Sequence, residues 1–238
     1  MDNNFYIKEG YHPNTVNLTL DVSGEQTYWD DQRLKTAEVF QHAVYSEALR
    51  WAKAKKINRI LDVGSGPPVK LEKLKYRIGD EVQIWLIDQP SISSFIGSRW
   101  PGYKFIPSDL EFVDINFSEK FDLIICADVI EHLVNPLALL RFMYDTLSPN
   151  GRIFLSTPER DLLRGQECLS SPHPMHIREW NFQELQHFLT AAGFIVTDQL
   201  FIPPKKMFRG DIFVSKILGI LGVRHPIFHS CQLAILGK

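Results

Sequence analysis

Arg59 to Pro68 reads Arg-Ile-Leu-Asp-Val-Gly-Ser-Gly-Pro-Pro, and this stretch decides the fold. Its apolar residues surround one acid, Asp62, and lead directly into Gly64-Ser65-Gly66. A short apolar run that ends in glycines predicts a buried strand followed by a tight turn. Because glycine has no Cβ, the backbone of such a turn can approach a ligand closely. A helix that begins just after the turn adds amide donors and the positive end of its dipole. The stretch therefore predicts a nucleotide-type binding loop.

The spacing of the glycines separates two families. The dinucleotide-binding fingerprint is Gly-x-Gly-x-x-Gly, and Val69 stands at its third glycine position. The stretch instead resembles the first motif of class I S-adenosylmethionine-dependent methyltransferases, which is an acid two residues before the first glycine and then Gly-x-Gly-x-Gly. Asp62, Gly64 and Gly66 match that motif, whereas Pro68 replaces its third glycine. Since proline is tolerated in a first helical turn, we expect Pro68 to stiffen the loop and to start the helix.

The composition limits the class of protein. The chain has 238 residues, of which 45% are hydrophobic and 23% charged, as expected for one domain with a large core. A net charge of −2 does not favour bulk binding of nucleic acid. The sequence shows neither a transmembrane segment nor the basic-then-apolar order of a signal peptide. Its three widely spaced cysteines suit a reducing compartment, so we expect a cytoplasmic protein.

Apolar strand patterns alternate with amphipathic helix patterns along the chain. The predicted strands are 60–63, 82–87, 103–106, 121–127, 152–156, 194–197 and 227–236, and the predicted helices are 36–55, 71–77, 91–98, 136–147, 181–192 and 212–223. Asn181 is the expected cap of its helix and Gly193 the terminator. This order predicts an α/β protein with a mostly parallel sheet and helices on both faces. The resemblance implies a Rossmann-like sheet of seven strands with an antiparallel last strand.

We expect a single methyltransferase domain over residues 1–238. It would comprise an N-terminal segment (1–55), a cofactor-binding half (56–160) and an acceptor-side half (161–238) with an insertion near 203–224. The aromatic residues of the N-terminal segment indicate that it packs on the domain, as a lid over the cofactor in one interpretation. These residues are Tyr11, His12, Tyr28 and Trp29.

The carboxyl ends of parallel strands are where open α/β sheets bind ligands. Asp88 ends the second strand, 24 residues after Gly64, where its carboxylate can accept both ribose hydroxyls. The resemblance implies that Asp109 accepts the adenine amino group and that Leu110 packs on the ring. It also implies backbone contacts from the end of the fourth strand. The predicted cofactor-binding residues are Asp62, Gly64, Ser65, Gly66, Asp88, Gln89, Asp109, Leu110, Cys126 and Ala127. The implied cofactor is S-adenosyl-L-methionine, with S-adenosyl-L-homocysteine as product.

A second motif, Phe121 to Leu133, ends in the pair Glu131-His132. It resembles the fourth-strand motif of the methyltransferase branch that includes quinone-biosynthesis enzymes and many small-molecule enzymes. A Glu-His pair recurs in that branch. His132 is interpreted either as a general base near the methyl acceptor or as a structural residue that orders the loop.

A third stretch, Ser156 to Trp180, contains Pro172-His173-Pro174-Met175-His176. It is similar to methyltransferase domains found with glycosyltransferases in surface-polysaccharide pathways. His132, His173 and His176 are the candidates for a catalytic base. Paired histidines with Asp128 or Glu131 also suit a metal, but their spacing in sequence is not tight, and we expect none.

Together these features predict a methyltransferase that modifies a small molecule or a sugar or glycan precursor, at oxygen, in polysaccharide biosynthesis. A quinone- or phenol-type acceptor is one alternative, and a non-catalytic S-adenosylmethionine-binding partner or regulator is another. The apolar stretch 212–223 follows Lys205, Lys206 and Arg209. Three interpretations of residues 205–223 stay open: packing over the sheet, contact with a second subunit in a homodimer, and peripheral contact with a membrane.

Overall fold

The computed structural model describes residues 4–16, 29–79 and 81–238. Seven strands form one sheet in the order β3-β2-β1-β4-β5-β7-β6. The strands are β1 (Arg59–Val63), β2 (Gln83–Asp88), β3 (Lys104–Pro107), β4 (Phe121–Ala127), β5 (Leu147–Pro158), β6 (Ile195–Ile202) and β7 (Cys231–Gly237). Strands β1 to β5 pair in parallel, and β7 runs antiparallel to both β5 and β6. The predicted Rossmann-like sheet with an antiparallel last strand is confirmed.

Helices cover both faces of the sheet. They are α1 (Asp31–Val39), α2 (His42–Lys55), α3 (Val69–Leu74), α4 (Ser93–Arg99), α5 (Pro136–Thr146), α6 (Arg160–Arg164), α7 (Phe182–Ala191), α8 (Asp211–Ile220) and α9 (Pro226–His229). Successive residues of a strand point to opposite faces, so Ile60 joins the core beneath α2, α3 and α4, and Leu61 joins the core beneath α5 and α7. None of the helices in the described ranges is both long and apolar enough to cross a bilayer.

The limits of α7 follow from local chemistry. The Asn181 side chain accepts the backbone N–H of Glu184, and the Glu184 carboxylate accepts the backbone N–H of Asn181. This capping box satisfies two donors that a helix start leaves free. After α7, Gly193 adopts a φ of +96°, which residues with a Cβ rarely adopt. The predicted cap and terminator are confirmed.

The single helix predicted over 36–55 is wrong, because the chain breaks between α1 and α2. Gln41 has a left-handed φ of 56°. Its backbone N–H donates to the Pro204 carbonyl, and Lys206 donates back to the Val39 carbonyl. The Gln41 side chain also donates to the Ala127 carbonyl at 2.9 Å. These tertiary hydrogen bonds replace those of a continuous helix.

Three predicted strand limits differ by more than two residues, and one of them is the end of β6, which extends to Ile202 rather than to 197. The last strand begins at Cys231 rather than 227, because Pro226–His229 form α9, and the Ile227 N–H of this helix donates to the His225 imidazole. Strand β5 begins at Leu147, earlier than predicted, and a register shift against β4 between Phe121 and Leu123 accommodates the extra residues. The residues predicted to form a turn before this strand, 149–151, thus belong to β5, and the irregular pairing accommodates them.

Residues 4–16 pack against the acceptor-side half of the domain. Tyr11 is buried, and its hydroxyl accepts the backbone N–H of Glu179 at 3.0 Å. The Trp180 indole donates to the Phe5 carbonyl at 2.9 Å. Residues 4–16 thus contact the domain through Phe5 and Tyr11 and do not line the cavity at the glycine loop.

Trp29 and α1 lie over the glycine loop. A Cβ added at Gly66 would lie 3.1 Å from the Trp29 ring. Lys70 of α3 donates to the Ala37 carbonyl of α1 at 3.2 Å. Tyr28, the other aromatic residue predicted to form a lid, lies outside the described residues.

Candidate active site

In the turn after β1 the backbone lies close to neighbouring side chains, at the glycines that predicted a close approach. Gly64 and Gly66 adopt φ values of +67° and +51°. A Cβ at Gly64 would lie 2.4 Å from a methyl carbon of Val129, which no side chain tolerates. The Gly64 N–H donates to the Ile87 carbonyl at 2.8 Å and ties the turn to β2. A backbone cradle without side chains therefore faces the carboxyl edge of the sheet.

Asp62 lies beneath this cradle. The Tyr45 hydroxyl lies 3.0 Å and 2.9 Å from its two carboxylate oxygens and donates to the carboxylate. Burial raises the pKa of Asp62, and the hydrogen bond from Tyr45 opposes that rise. Asp62 therefore links the end of β1 to Tyr45 of α2. It does not line the cavity at the glycine loop.

A cavity of about 330 Å³ opens above the loop. It brings together five of the predicted cofactor residues, namely Gly64, Ser65, Gly66, Asp88 and Ala127. Arg33, Gln41 and Lys70 also line it, and sequence reasoning missed them. Lys70 could have been noticed, because it lies in the first turn of the helix after the loop. Arg33 and Gln41 had no such signal, since α1 and the chain break bring them there from a distance in sequence.

The remaining predicted cofactor residues do not line this cavity. Leu110 is buried, and its side chain lies 3.5 Å from a Cβ added at Gly64, which suits the predicted contact with a ring. Asp109 is exposed and accepts the backbone N–H of Glu111 at 2.9 Å. Gln89 is exposed just after Asp88, and Cys126 is buried within the sheet, so only its backbone could contact a ligand.

Asp88 connects β2 to the glycine loop. One carboxylate oxygen accepts the Gly66 N–H at 2.6 Å, and the other accepts the Gln89 N–H at 2.7 Å. Burial raises the pKa of Asp88, and these two amides oppose that rise. Each oxygen retains a lone pair, so the carboxylate can still accept ribose hydroxyls, as predicted.

Replacing Asp88 by asparagine should therefore weaken the binding of S-adenosylmethionine about 10- to 150-fold. A hydrogen bond to a charged group contributes about 1.5–3 kcal/mol, and asparagine keeps the shape without the charge. Isothermal titration calorimetry with S-adenosylhomocysteine measures the loss. Asp145→Asn on the exposed face of α5 is the control and should leave Kd unchanged. Equal affinity for Asp88→Asn and the original protein would refute the ribose assignment.

The three histidines named as candidate bases lie together. The ring centroids of His132 and His176 are 4.8 Å apart, and those of His173 and His176 are 3.9 Å apart. The short helical turn Ile130–His132 carries the first of them, four residues after Asp128, which lines the cofactor cavity. The chain therefore joins the histidine cluster to the cavity lining through a short link after Asp128.

Hydrogen bonds assign the proton of His132. Its Nδ1 lies 2.7 Å from the Met175 carbonyl, which can only accept, so Nδ1 carries the hydrogen. Burial and the neighbouring His176 lower the pKa of His132 to about 4. The ring is therefore neutral at pH 7, and its Nε2 has a lone pair for a proton or a metal.

Glu179 orients the ring of His176. The carboxylate accepts His176 Nδ1 at 2.6 Å, two N–H groups of Arg164 at 3.1 Å each, and the Ser171 hydroxyl at 3.0 Å. Burial raises its pKa, but the hydrogen bonds from His176 and Arg164 prevail and hold the pKa of Glu179 at about 2. The carboxylate is thus ionised and fixes the orientation of the His176 ring. Sequence reasoning missed Glu179 as an orienting residue.

The same region has the composition of a metal site. Among the described residues, Glu131, His132 and His176 each offer one ligand atom, and these atoms lie within 4.8 Å of one another. One carboxylate oxygen of Glu131, Oε1, is buried and has no hydrogen-bond partner in the described part of the chain. Two imidazoles and a carboxylate suit a divalent metal. Spacing in sequence did not anticipate this proximity, and the expectation that no metal binds stays a prediction.

Comparison with known proteins agrees with the fold and the loop. Residues 33–199 match the family described as a methyltransferase domain. A ubiquinone biosynthesis O-methyltransferase from Aliivibrio fischeri (strain MJ11) is 26% identical over 106 residues, 44% of this chain and 45% of that protein. Another, from Bradyrhizobium diazoefficiens, is 28% identical over 155 residues, 59% of this chain and 60% of that protein. The chain thus spans about half the length of these curated relatives.

A solved structure shows the same architecture. The crystal structure of an S-adenosylmethionine-dependent methyltransferase from Clostridium acetobutylicum ATCC 824 matches with a TM-score of 0.58 over 87% of this chain and 96% of that chain. Because the sequences are only 12% identical, this likeness concerns the fold alone.

The fold and the glycine cradle define a class I methyltransferase architecture. The chain belongs to the methyltransferase-domain family of S-adenosylmethionine-dependent enzymes. The predicted family and fold are confirmed.

Proposed function

We propose that the protein transfers the methyl group of S-adenosylmethionine to a hydroxyl oxygen of a small phenol-type molecule. The observation that carries this proposal is the His132 ring, whose Nδ1–H is held by the Met175 carbonyl, so that Nε2 keeps its lone pair. S-adenosylmethionine supplies an electrophilic methyl carbon when bound. The cavity residues would hold it, and the Gly64–Gly66 backbone and Asp88 would supply polar contacts.

The reaction requires few catalytic groups from the protein. Methyl transfer is an in-line displacement, and positioning alone lowers such barriers by about 7–11 kcal/mol in well-oriented cases. His132 Nε2 accepts the proton of the acceptor hydroxyl, which adds about 10²–10⁴-fold. The Met175 carbonyl keeps the ring in the tautomer that this step needs.

The weak basicity of His132 favours a phenol over a sugar. Burial and the neighbouring His176 lower the pKa of His132 and make it a weak base, so the acidity of the acceptor hydroxyl matters, and a phenol has a pKa of about 10. A sugar hydroxyl is less acidic, so transfer of its proton costs more. The curated relatives, named as ubiquinone biosynthesis O-methyltransferases, agree with a phenol-type acceptor. A sugar or glycan precursor is the second candidate, supported by the resemblance of Ser156 to Trp180.

The two acceptor classes are separated by direct assay. The protein is incubated with S-adenosylmethionine and either catechol-type phenols or nucleotide sugars, and S-adenosylhomocysteine release is measured. We expect methyl transfer to the phenols. Transfer to sugars alone would overturn the phenol assignment. Tight binding of S-adenosylhomocysteine without turnover on either class would favour a non-catalytic binding protein.

A further inference from the structure

Residues 203–230, which join β6 to β7, form a segment that the proposed reaction does not use. We infer that this basic–apolar segment docks the protein on an anionic membrane surface. The segment includes α8 and α9 and lies entirely within the described residues.

The outer face of α8 is apolar and exposed. Phe213 is 67% exposed, Ile217 39% and Ile220 84%. Their spacing of four and then three residues puts them on one side of the helix. Leu221 continues this face at 68% exposure, and Phe208 and Ile227 are exposed in the same segment at 47% and 53%. Such a concentration of exposed apolar side chains marks an interaction surface rather than an ordinary solvated one.

Cations outnumber acids within residues 203–230, although the exposed Asp198 of β6 lines the same cavity as Ile220. Residues 203–230 contain five lysines and arginines but one acid, Asp211, in a chain whose net charge is −2. Asp211 is 2% exposed, and its carboxylate accepts the backbone N–H of Met207 at 2.8 Å. Lys205, Lys206 and Arg209 are exposed. Cations near an anionic lipid surface are attracted to it.

The segment lies at the edge of the sheet that carries the cofactor cavity. Cys231, its first residue beyond the segment, pairs with Pro158 at the carboxyl end of β5. Lys205 forms a bridge with Phe40, which lines the cavity. A membrane against α8 would therefore lie on the same side of the molecule as the cofactor.

The charge pattern selects a bilayer over a second copy of the chain. A two-fold interface would place this face against itself, with Lys205, Lys206 and Arg209 of both copies around the same contact. Like charges would then oppose association, whereas an anionic lipid surface attracts them. Because α8 has 10 residues, it can lie in the interface plane but cannot span the bilayer.

Vesicle sedimentation tests this inference. The protein is mixed with vesicles of phosphatidylcholine alone or of phosphatidylcholine with phosphatidylglycerol. We expect binding to the second kind, and weaker binding at high salt, since the screening length falls from about 8 Å at physiological ionic strength to about 3 Å at 1 M. The double variant Phe213→Ser/Ile220→Ser and the double variant Lys205→Glu/Lys206→Glu should each weaken binding at least tenfold. Ile195→Ser, an equally apolar exposed site at the opposite end of β6, should not.

Other outcomes overturn the inference. Failure of the unaltered protein to bind phosphatidylglycerol vesicles would do so directly. Equal binding to both kinds of vesicle, insensitive to Lys205→Glu/Lys206→Glu, would exclude recognition of anionic lipid. Light scattering would instead assign the face to a second copy if it detected a dimer that Phe213→Ser/Ile220→Ser dissociates. Thermal unfolding confirms that each variant is folded. These readouts do not require methyl transfer, so they stand apart from the acceptor assay.

Discussion

Replacing His132 by glutamine is expected to lower kcat about 10²–10⁴-fold at pH 7 while the affinity for S-adenosylhomocysteine stays unchanged. The imidazole Nε2 is the proton acceptor in the proposed reaction, and a general base contributes an effect of that size. Glutamine can still donate to the Met175 carbonyl, so the loop keeps its hydrogen bond. Steady-state rates with a phenol acceptor, together with calorimetry, separate the loss of turnover from any loss of binding.

The pH dependence carries a second signature of His132. The ring must be neutral to accept a proton, and its pKa is about 4. The rate should therefore fall as the pH drops towards 4 and stay level between about pH 6 and 8, since a lone base with this pKa is already deprotonated there.

His173→Gln is the matched control for this prediction. The backbone N–H of Met175 donates to His173 Nδ1 at 3.2 Å, so that ring has the opposite tautomer and serves the loop. Its rate should change less than tenfold. Full activity of His132→Gln would show that His132 is structural. Activity that a chelator abolishes and a divalent metal restores would assign Glu131, His132 and His176 to a metal instead of a base.

Replacing Arg160 by methionine is expected to lower the free energy of unfolding by about 3–5 kcal/mol. The Arg160 side chain is fully buried and makes two hydrogen bonds to Glu184, at 2.6 Å and 2.9 Å. It also donates to Asp161 and to the Glu179 carbonyl. Methionine fills the space but leaves the Glu184 charge without its partner, and breaking a buried ion pair costs about that much. Thermal and chemical denaturation measure the change.

Two variants test whether the unpaired charge is the cause. Arg141→Met removes an arginine whose side chain is 87% exposed and pairs with Asp145 on α5, so it should change stability by less than about 1 kcal/mol. Arg160→Met/Glu184→Gln removes both charges and should regain part of the loss. A change below about 1 kcal/mol for Arg160→Met would show that the buried pair does not stabilise the fold.

The sequence alone predicted those elements whose structure depends on interactions between neighbouring residues. The glycines after β1 indicated a tight turn, and in the structure only a residue without a Cβ fits against Val129 at Gly64. The run Phe121 to Ala127 indicated β4 with its observed limits, since strands buried on both faces read as continuous apolar runs. Asn181 and Gly193 marked α7 through capping chemistry confined to neighbouring residues. These features, with the alternation of helices and strands, determined the fold class and the cofactor loop.

Only the tertiary structure determined the contacts and protonation of the histidine cluster and the position of the helix break. His132 meets the Met175 carbonyl, 43 residues further along the chain, and its low pKa arises from burial that no local pattern reveals. The break at Gln41 depends on hydrogen bonds to Ala127 and Pro204, which a helical period cannot anticipate. Periodicity and capping act over a few residues, whereas tautomers, buried charges and shared cavities depend on groups that meet only after the chain has folded.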